Sequence, residues 1–327
     1  MEIKLNSYTD VNNKIKENAK KHKVNLDKLK LNLTIERIEY KCKGFKTCLL
    51  NALRQMAYKF DYCYYLDVNI NDILFECNPH TISNFINKSE IFNKITQILI
   101  DNNDEVYLDK LLNTSVCNVN KSVVYSMDNV EDATFFNTND IKTNNKIVFD
   151  GYCNLHQLPY CNGDFIISDI TLKKDYAYND GRRINVSTFI CNEESSNSHV
   201  LTIENVGTIK TEKLLLRYLN ILYLKLDYKD KIKETSKGLM LADEIKENSM
   251  EFIKNLLIDY AVDNNIKIIL NLEINVLYCH ECTLTDLHNI FKIIIEDVVL
   301  FTALMDNIDK KKALENLNNK MYAKYFN

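Results

Sequence analysis

Two short stretches hold residue types and spacings that could do chemistry. "CHEC" (residues 279–282) sets two thiols three positions apart. "CNLHQLPYC" (residues 153–161) gathers Cys153, His156 and Cys161. Thiolate and imidazole are the ligands zinc prefers, and a Cys-x-x-Cys at a strand-to-helix junction is also the layout of a thiol-exchange site. A structural zinc site needs four ligands, usually from two such pairs at a fixed spacing. The chain has a single Cys-x-x-Cys, so Cys153, His156 and Cys161 could complete a set only from a distant segment. The expectation is ordinary reduced thiols, with no metal and no cofactor. The rival reading is a stand-alone zinc-binding or thiol redox protein that uses Cys279 and Cys282.

Other charged clusters point to less. "DNVED" (128–132) and "CNEESSN" (191–197) carry paired carboxylates, and "NDGRRIN" (179–185) carries two adjacent arginines at a turn signal. Catalytic carboxylates need a shielded, positioned setting, and these lie on polar, loop-like segments. No phosphate-binding loop, Gly-x-Ser-x-Gly or kinase set is present, so no catalytic residue is expected.

Composition narrows the class. The 327 residues are 46% hydrophobic, enough for a sizeable core. Six glycines and two prolines argue against Gly-rich phosphate loops and Pro-rich linkers. A net charge of −4 is unlike a chain that grips a phosphate backbone by itself, so little direct nucleic-acid contact is expected. The ten cysteines, with no apolar signal core in "MEIKLNSYTD", imply a reducing intracellular compartment. "FKIIIEDVVLF" is broken by Glu296 and Asp297, and no uncharged 18-residue apolar stretch exists, so no membrane span is expected.

The elements that would position these residues follow from periodicity. The first 30 residues are weakly patterned and suggest a frayed helix. "LNLTIERIEY" (31–40) alternates and predicts a strand. Leu49, Leu53, Met56, Ala57 and Phe60 form one stripe at helical spacing, which predicts a helix over 45–60. A strand over 62–76 follows, and then a helix capped by Thr81, with Ile82, Phe85, Ile86, Phe92, Ile95 and Leu99 on its face. Residues 101–195 read as mostly β. A strand, a turn at Gly207 and a helix capped by Thr211 come next, then a charged linker over 227–238. Beyond it the pattern predicts a strand (239–245), a helix from Ser249 to 262, a strand (266–276) and a long helix from about Thr285.

Two blocks resemble a known family. "LLNALRQMAYKFDYCYYLDVNI" is similar to the helix-and-strand signature of the α-type RNA polymerase subunits: the bacterial alpha N-terminal domain, the archaeal D polypeptide and the third subunit of eukaryotic RNA polymerase II. Asn51, Ala52, Leu53 and Arg54 match its Asn-Ala/Ser-Leu-Arg run. Gln55 replaces a second arginine, and "YKFDY" replaces an acidic-Ile-Pro turn. Phe85 and Ile86 match a later core pair. "HVLTIENVGTIKTEKLLLRYL" resembles the family's strand, Glu-Ser-Val-Gly-Ser-Ile and long helix, through Glu204 to Ile209 with Gly207 in register. "ENSMEFIKNLL" weakly resembles the eleventh-subunit (archaeal L) partner family through Asn248, Ser249, Asn255, Leu256 and Leu257, with Phe252 or Ile253 where that family has glycine.

The resemblance implies an α+β chain with an RNA polymerase alpha-like dimerisation fold, a β-rich insert and a second α/β dimerisation unit, the two units making an intramolecular pseudo-dimer. The implied domains are 1–100 plus 196–230, 101–195 and 231–327. The implied role is a non-catalytic assembly platform of a multisubunit DNA-directed RNA polymerase, partnered by the two large catalytic subunits and by small polymerase subunits. Asn51, Leu53, Arg54, Gly207, Phe252 and Leu256 would form partner interfaces. Heavy use of Asn, Ile, Lys and Tyr fits AT-rich coding and a large cytoplasmic DNA virus such as a poxvirus, which places the chain in the virion and host cytoplasm.

Overall fold

The computed structural model describes residues 1–22, 34–77, 86–100, 104–124, 134–143, 147, 149–150, 154–159, 161–176, 186–195, 197–207, 209–226, 232–242, 249–273 and 276–318. The chain opens with strand β1 (Glu2–Asp10), helix α1 (Val11–Lys21), strand β2 (Thr34–Lys43) and helix α2 (Thr47–Gln55), which continues as a π turn, Met56–Phe60. Next come β3 (Tyr62–Asp67), β4 (Ile73–Cys77), α3 (Lys88–Ile95), β5 (Leu99–Ile100), α4 (Glu105–Lys110), β6 (Ser115–Val123), β7 (Phe135–Asn137), β8 (Ile141–Thr143), β9 (Phe149–Asp150), β10 (Asn154–Gln157) and β11 (Gly163–Tyr176). β12 (Val186–Ser195), β13 (Ser198–Gly207) and α5 (Thr211–Lys225) follow. The last stretch is β14 (Ile232–Thr235), β15 (Gly238–Ala242), α6 (Ser249–Asp263), β16 (Ile269–Glu273), β17 (Val276–His280), α7 (Leu284–Asp306) and α8 (Lys310–Asn318). The architecture is mixed α+β, and its sheets are antiparallel.

Two of the sheets repeat one topology. The first has spatial order β1-β2-β13-β12, and another has β14-β15-β17-β16. In each, the first two strands are neighbours, a helix follows the second strand, a hairpin follows with its later strand innermost, and a long helix ends the unit. α2 therefore corresponds to α6, and α5 to α7. Corresponding helices pack on each other, α2 on α6 and α5 on α7. Their apolar stripes share one core that includes Leu49, Leu53, Leu215, Leu222, Leu256 and Ile294. An amphipathic helix on a small sheet leaves one flank apolar, and burying that flank is the main favourable term in folding. Here each unit supplies the cover for the other.

A second core lies between α2 and β12 in the chain. Its five-stranded sheet runs β3-β11-β6-β8, with β4 also pairing β11. The 14-residue β11 is central: β3 pairs its later half and β4 its earlier half on one side, while β6 pairs the other side. Leu66, Phe75, Val119, Phe165 and Ile167 fill this core beneath Ile91 and Ile95 of α3.

Several expectations need correction. Residues 101–195 do not bound the second core: β3 and β4 belong to it, and β12 pairs β13 in the first sheet. Alternation over 62–76 correctly marks strands there, but it carries no information on which sheet they join. The first residues form β1 and α1 rather than a frayed helix. The charged stretch 227–238 contains β14, which returns as a hairpin to β15. The single strand expected over 266–276 is two, β16 and β17, paired antiparallel. Thr81, Ile82 and Phe85 lie outside the described residues. The described helix α3 starts at Lys88 with Asn87 as cap, and Leu99 is in β5.

Candidate functional site

The seam between the two repeated units is the best-defined constellation of charged and aromatic side chains. Lys46 stands at the N-terminus of α2 and reaches the C-terminal turn of α6. Its Nζ lies 2.6 Å from Asp263 Oδ2, donates to the Asp259 carbonyl at 3.2 Å, and sits 3.8 Å from the centre of the Tyr260 ring. A cation at a helix C-terminus meets unsatisfied carbonyls and the negative end of the helix dipole. The Tyr260 hydroxyl in turn donates to Asp297 Oδ2 of α7 at 2.7 Å. Burial raises Asp297 above the usual carboxylate range, with the Tyr260 hydrogen bond and Lys46 pulling the other way. At the opposite end of the pair, Phe60 meets Phe252 edge-on, with ring centres 5.6 Å apart. Phe45 packs on Phe301 of α7 at 4.8 Å.

Beside Lys46 lies an open cleft of ≈ 470 Å³, lined in part by Thr47, His199, Asp259 and Asp263. Thr47 Oγ1 and His199 Nε2 are 2.8 Å apart, which has the form of a nucleophile–base pair. Catalysis would also need a third group to orient the ring. The His199 Nδ1 is buried and has no hydrogen-bond partner among the described residues. The pair therefore reads as a tie from β13 to the start of α2.

Two buried carboxylates hold the first unit together. Glu36 of β2 accepts from the Thr211 N–H at 3.1 Å and from the Thr211 hydroxyl at 3.0 Å. It also accepts from the Tyr8 hydroxyl at 3.1 Å. Thr211, expected as the cap of α5, is instead its first helical residue. The cap comes from a neighbouring strand, which periodicity cannot reveal. The Asn205 side chain donates to the Ile209 carbonyl across the turn after Gly207, so this turn is held from within. Asp61 sits between the π turn and β3, with Oδ1 2.7 Å from Arg217 Nε of α5. The two side chains are 0% and 1% exposed. The Tyr218 hydroxyl donates to Asp61 Oδ2 at 3.1 Å, and burial followed by the Asp61 charge holds that phenol well above its ordinary range. Sequence reasoning passed over both carboxylates. Asp61 had a signal, a lone acid in the apolar and aromatic run "FDYCYYL"; Glu36, among the charges of "TIERIEYK", had none.

The expected interface residues divide. Leu53, Phe252 and Leu256 are buried in the shared core. Asn51 is half-buried and Arg54 is exposed on α2. Arg54 has no ion pair or hydrogen bond among the described residues, and its charge is felt by the half-buried Cys191 of β12. Gly207 ends β13 opposite Thr34. Among the described residues, the cysteine motifs are not brought together. Cys279 is buried in β17, and burial pushes its thiol up to about 12. Cys282 is half-buried and also raised, by burial and then by Asp286. His156 pairs with Glu90, and Cys161 contacts Cys77. Cys153, "NDGRRIN" and "DNVED" lie outside the described residues. Glu194 forms a surface pair with Lys41 at 2.6 Å.

Among the described residues, no group of three or more His, Cys, Asp or Glu side chains is placed to hold a metal ion. No helix among them is long and apolar enough to cross a membrane. Compared with known proteins, the chain matches no family model and no curated protein.

Proposed function

We propose that this chain is an assembly-platform subunit of a multisubunit DNA-directed RNA polymerase, with an alpha-like unit and an eleventh-subunit-like unit fused in one polypeptide. The observation that carries the reading is the repeated topology: two four-stranded sheets of identical strand order, joined through corresponding helices. The α-type subunits named above work as pairs of related units, and the Asn51–Arg54 block falls on the helix at the seam. Fusion makes the partner's effective concentration high, on the order of millimolar, so the pair forms without a separate chain.

In this reading the chain works by binding. Leu53, Phe252 and Leu256 hold the two units together. Arg54, exposed on α2, offers its planar fork to a carboxylate or to backbone carbonyls of a large catalytic subunit. The exposed Val262 and Ile258 of α6 give the second unit an apolar contact surface. Chemistry on nucleotides resides in the large subunits, and the virion and host cytoplasm are the proposed setting. The test is reconstitution. Tagged chain co-expressed with the two large subunits should recover both in stoichiometric amounts. Recovery of the chain alone would count against the proposal.

A further inference from the structure

Cys77 ends β4, and Cys161 stands two residues before β11 begins at Gly163. Gly163 is the ladder partner of Cys77, so the antiparallel pairing brings both cysteines to one end of the second sheet. The strands run unusually close there: a Cβ at Gly163 would lie 2.5 Å from the Glu76 carbonyl oxygen and 2.9 Å from the Phe75 ring. Cys77 is near enough to Cys161 to add to the effect of burial in raising its thiol. Both residues are half-buried, as are Cys48, Cys191 and Cys282, whereas Cys42, Cys63, Cys117 and Cys279 are buried. Two half-buried thiols brought together at one sheet end are the arrangement that a disulfide needs.

We propose that Cys77 and Cys161 are a peroxide-oxidisable pair that closes to a disulfide joining β4 to the start of β11. In the first step the Cys77 thiolate attacks hydrogen peroxide. The O–O bond breaks, Cys77 becomes a sulfenic acid, and the departing hydroxide takes a proton to leave as water. In the second step the Cys161 thiol gives up its proton and its sulfur attacks the Cys77 sulfur. The S–O bond breaks and a second water leaves. Two thiols lose two electrons in total, and one peroxide is reduced to two waters. Burial, and then Cys77 beside it, pushes the Cys161 thiol up, which suits it to the resolving rather than the attacking role. The bond would close a loop over residues 77–161, which holds most strands of the second core.

The test uses the full chain, treated with hydrogen peroxide, blocked with N-ethylmaleimide under denaturing conditions and mapped by tandem mass spectrometry. Fragment ions must separate Cys161 from Cys153. The expected result is a dithiothreitol-sensitive 77–161 cross-link within one chain, with Cys42, Cys117 and Cys279 still carrying maleimide. In Cys161→Ser, dimedone should trap a sulfenic acid at Cys77. Maleimide on both Cys77 and Cys161 at a peroxide dose that oxidises other thiols would overturn the proposal, as would cross-links from either residue to any other cysteine. Should the serine variant fail to fold, the wild-type cross-link map decides alone.

Discussion

Arg54 carries the docking proposal because it is exposed while its helix neighbours Leu50 and Leu53 are buried. Losing a charge-assisted, forked hydrogen bond costs about 1.5–3 kcal/mol of binding, so Arg54→Ala should weaken assembly with the large subunits roughly 10–100-fold. The urea midpoint of the isolated chain should hardly move, because a surface change of this kind is worth at most about 0.5 kcal/mol. Asp61 predicts the reverse. Asp61→Ala removes one partner of a buried ion pair and the acceptor of the Tyr218 hydroxyl, a loss of about 3–5 kcal/mol that chemical denaturation would register as a lower midpoint. At the cysteines, a thiol at about 12 is only ~1 part in 10⁴ thiolate at pH 8. Iodoacetamide should therefore label Cys279 of the native chain at least about tenfold more slowly than the same residue in urea. Fast native labelling would favour a redox role for the Cys-x-x-Cys.

At the scale of elements, the helices are the legible part of the sequence. The stripes through Leu49 to Phe60, Leu215 to Leu226 and Leu287 to Ile308 lie on cores as their spacing implies, because one helix face is a local property. Strand pairing is not local. Tyr62 and Val186 both begin strands that sequence alternation can find, yet one joins β11 and the other β13. The choice rests on partners far along the chain, and for that reason the boundaries at 101 and 195 failed. The exposure of Arg54 was legible, as a polar position on a periodic helix. The buried pair of Asp61 with Arg217 was not, because the partner lies far along the chain on α5. The observed pairing yields a sharper deletion. Tyr62 and Tyr176 are opposite partners in the β3–β11 ladder, with rings stacked 4.7 Å apart. Replacing residues 63–175 with Asn-Gly should leave the first core folded, since a two-residue turn spans such a pair. Deleting 105–195 removes β12 and Phe189 from the first core and should abolish cooperative unfolding. Circular dichroism melts of the two deletions would compare them directly.

For the whole molecule, the shared core between α2, α5, α6 and α7 makes each unit depend on the other. Phe252→Ala removes a buried ring at the seam, and should lower stability by about 3–5 kcal/mol while keeping a single unfolding transition. Two separate transitions in calorimetry would mean that the units fold independently. The central claim is that one polypeptide supplies both halves of an alpha-type platform to a polymerase. The most direct measurement is quantitative mass spectrometry of complexes captured on the tagged chain from the cells or particles that make it. The account predicts the two large RNA polymerase subunits at one copy each per copy of this chain, with no separate eleventh-type subunit. Capture of the chain alone, or of a polymerase that also contains a separate eleventh-type chain, would contradict it.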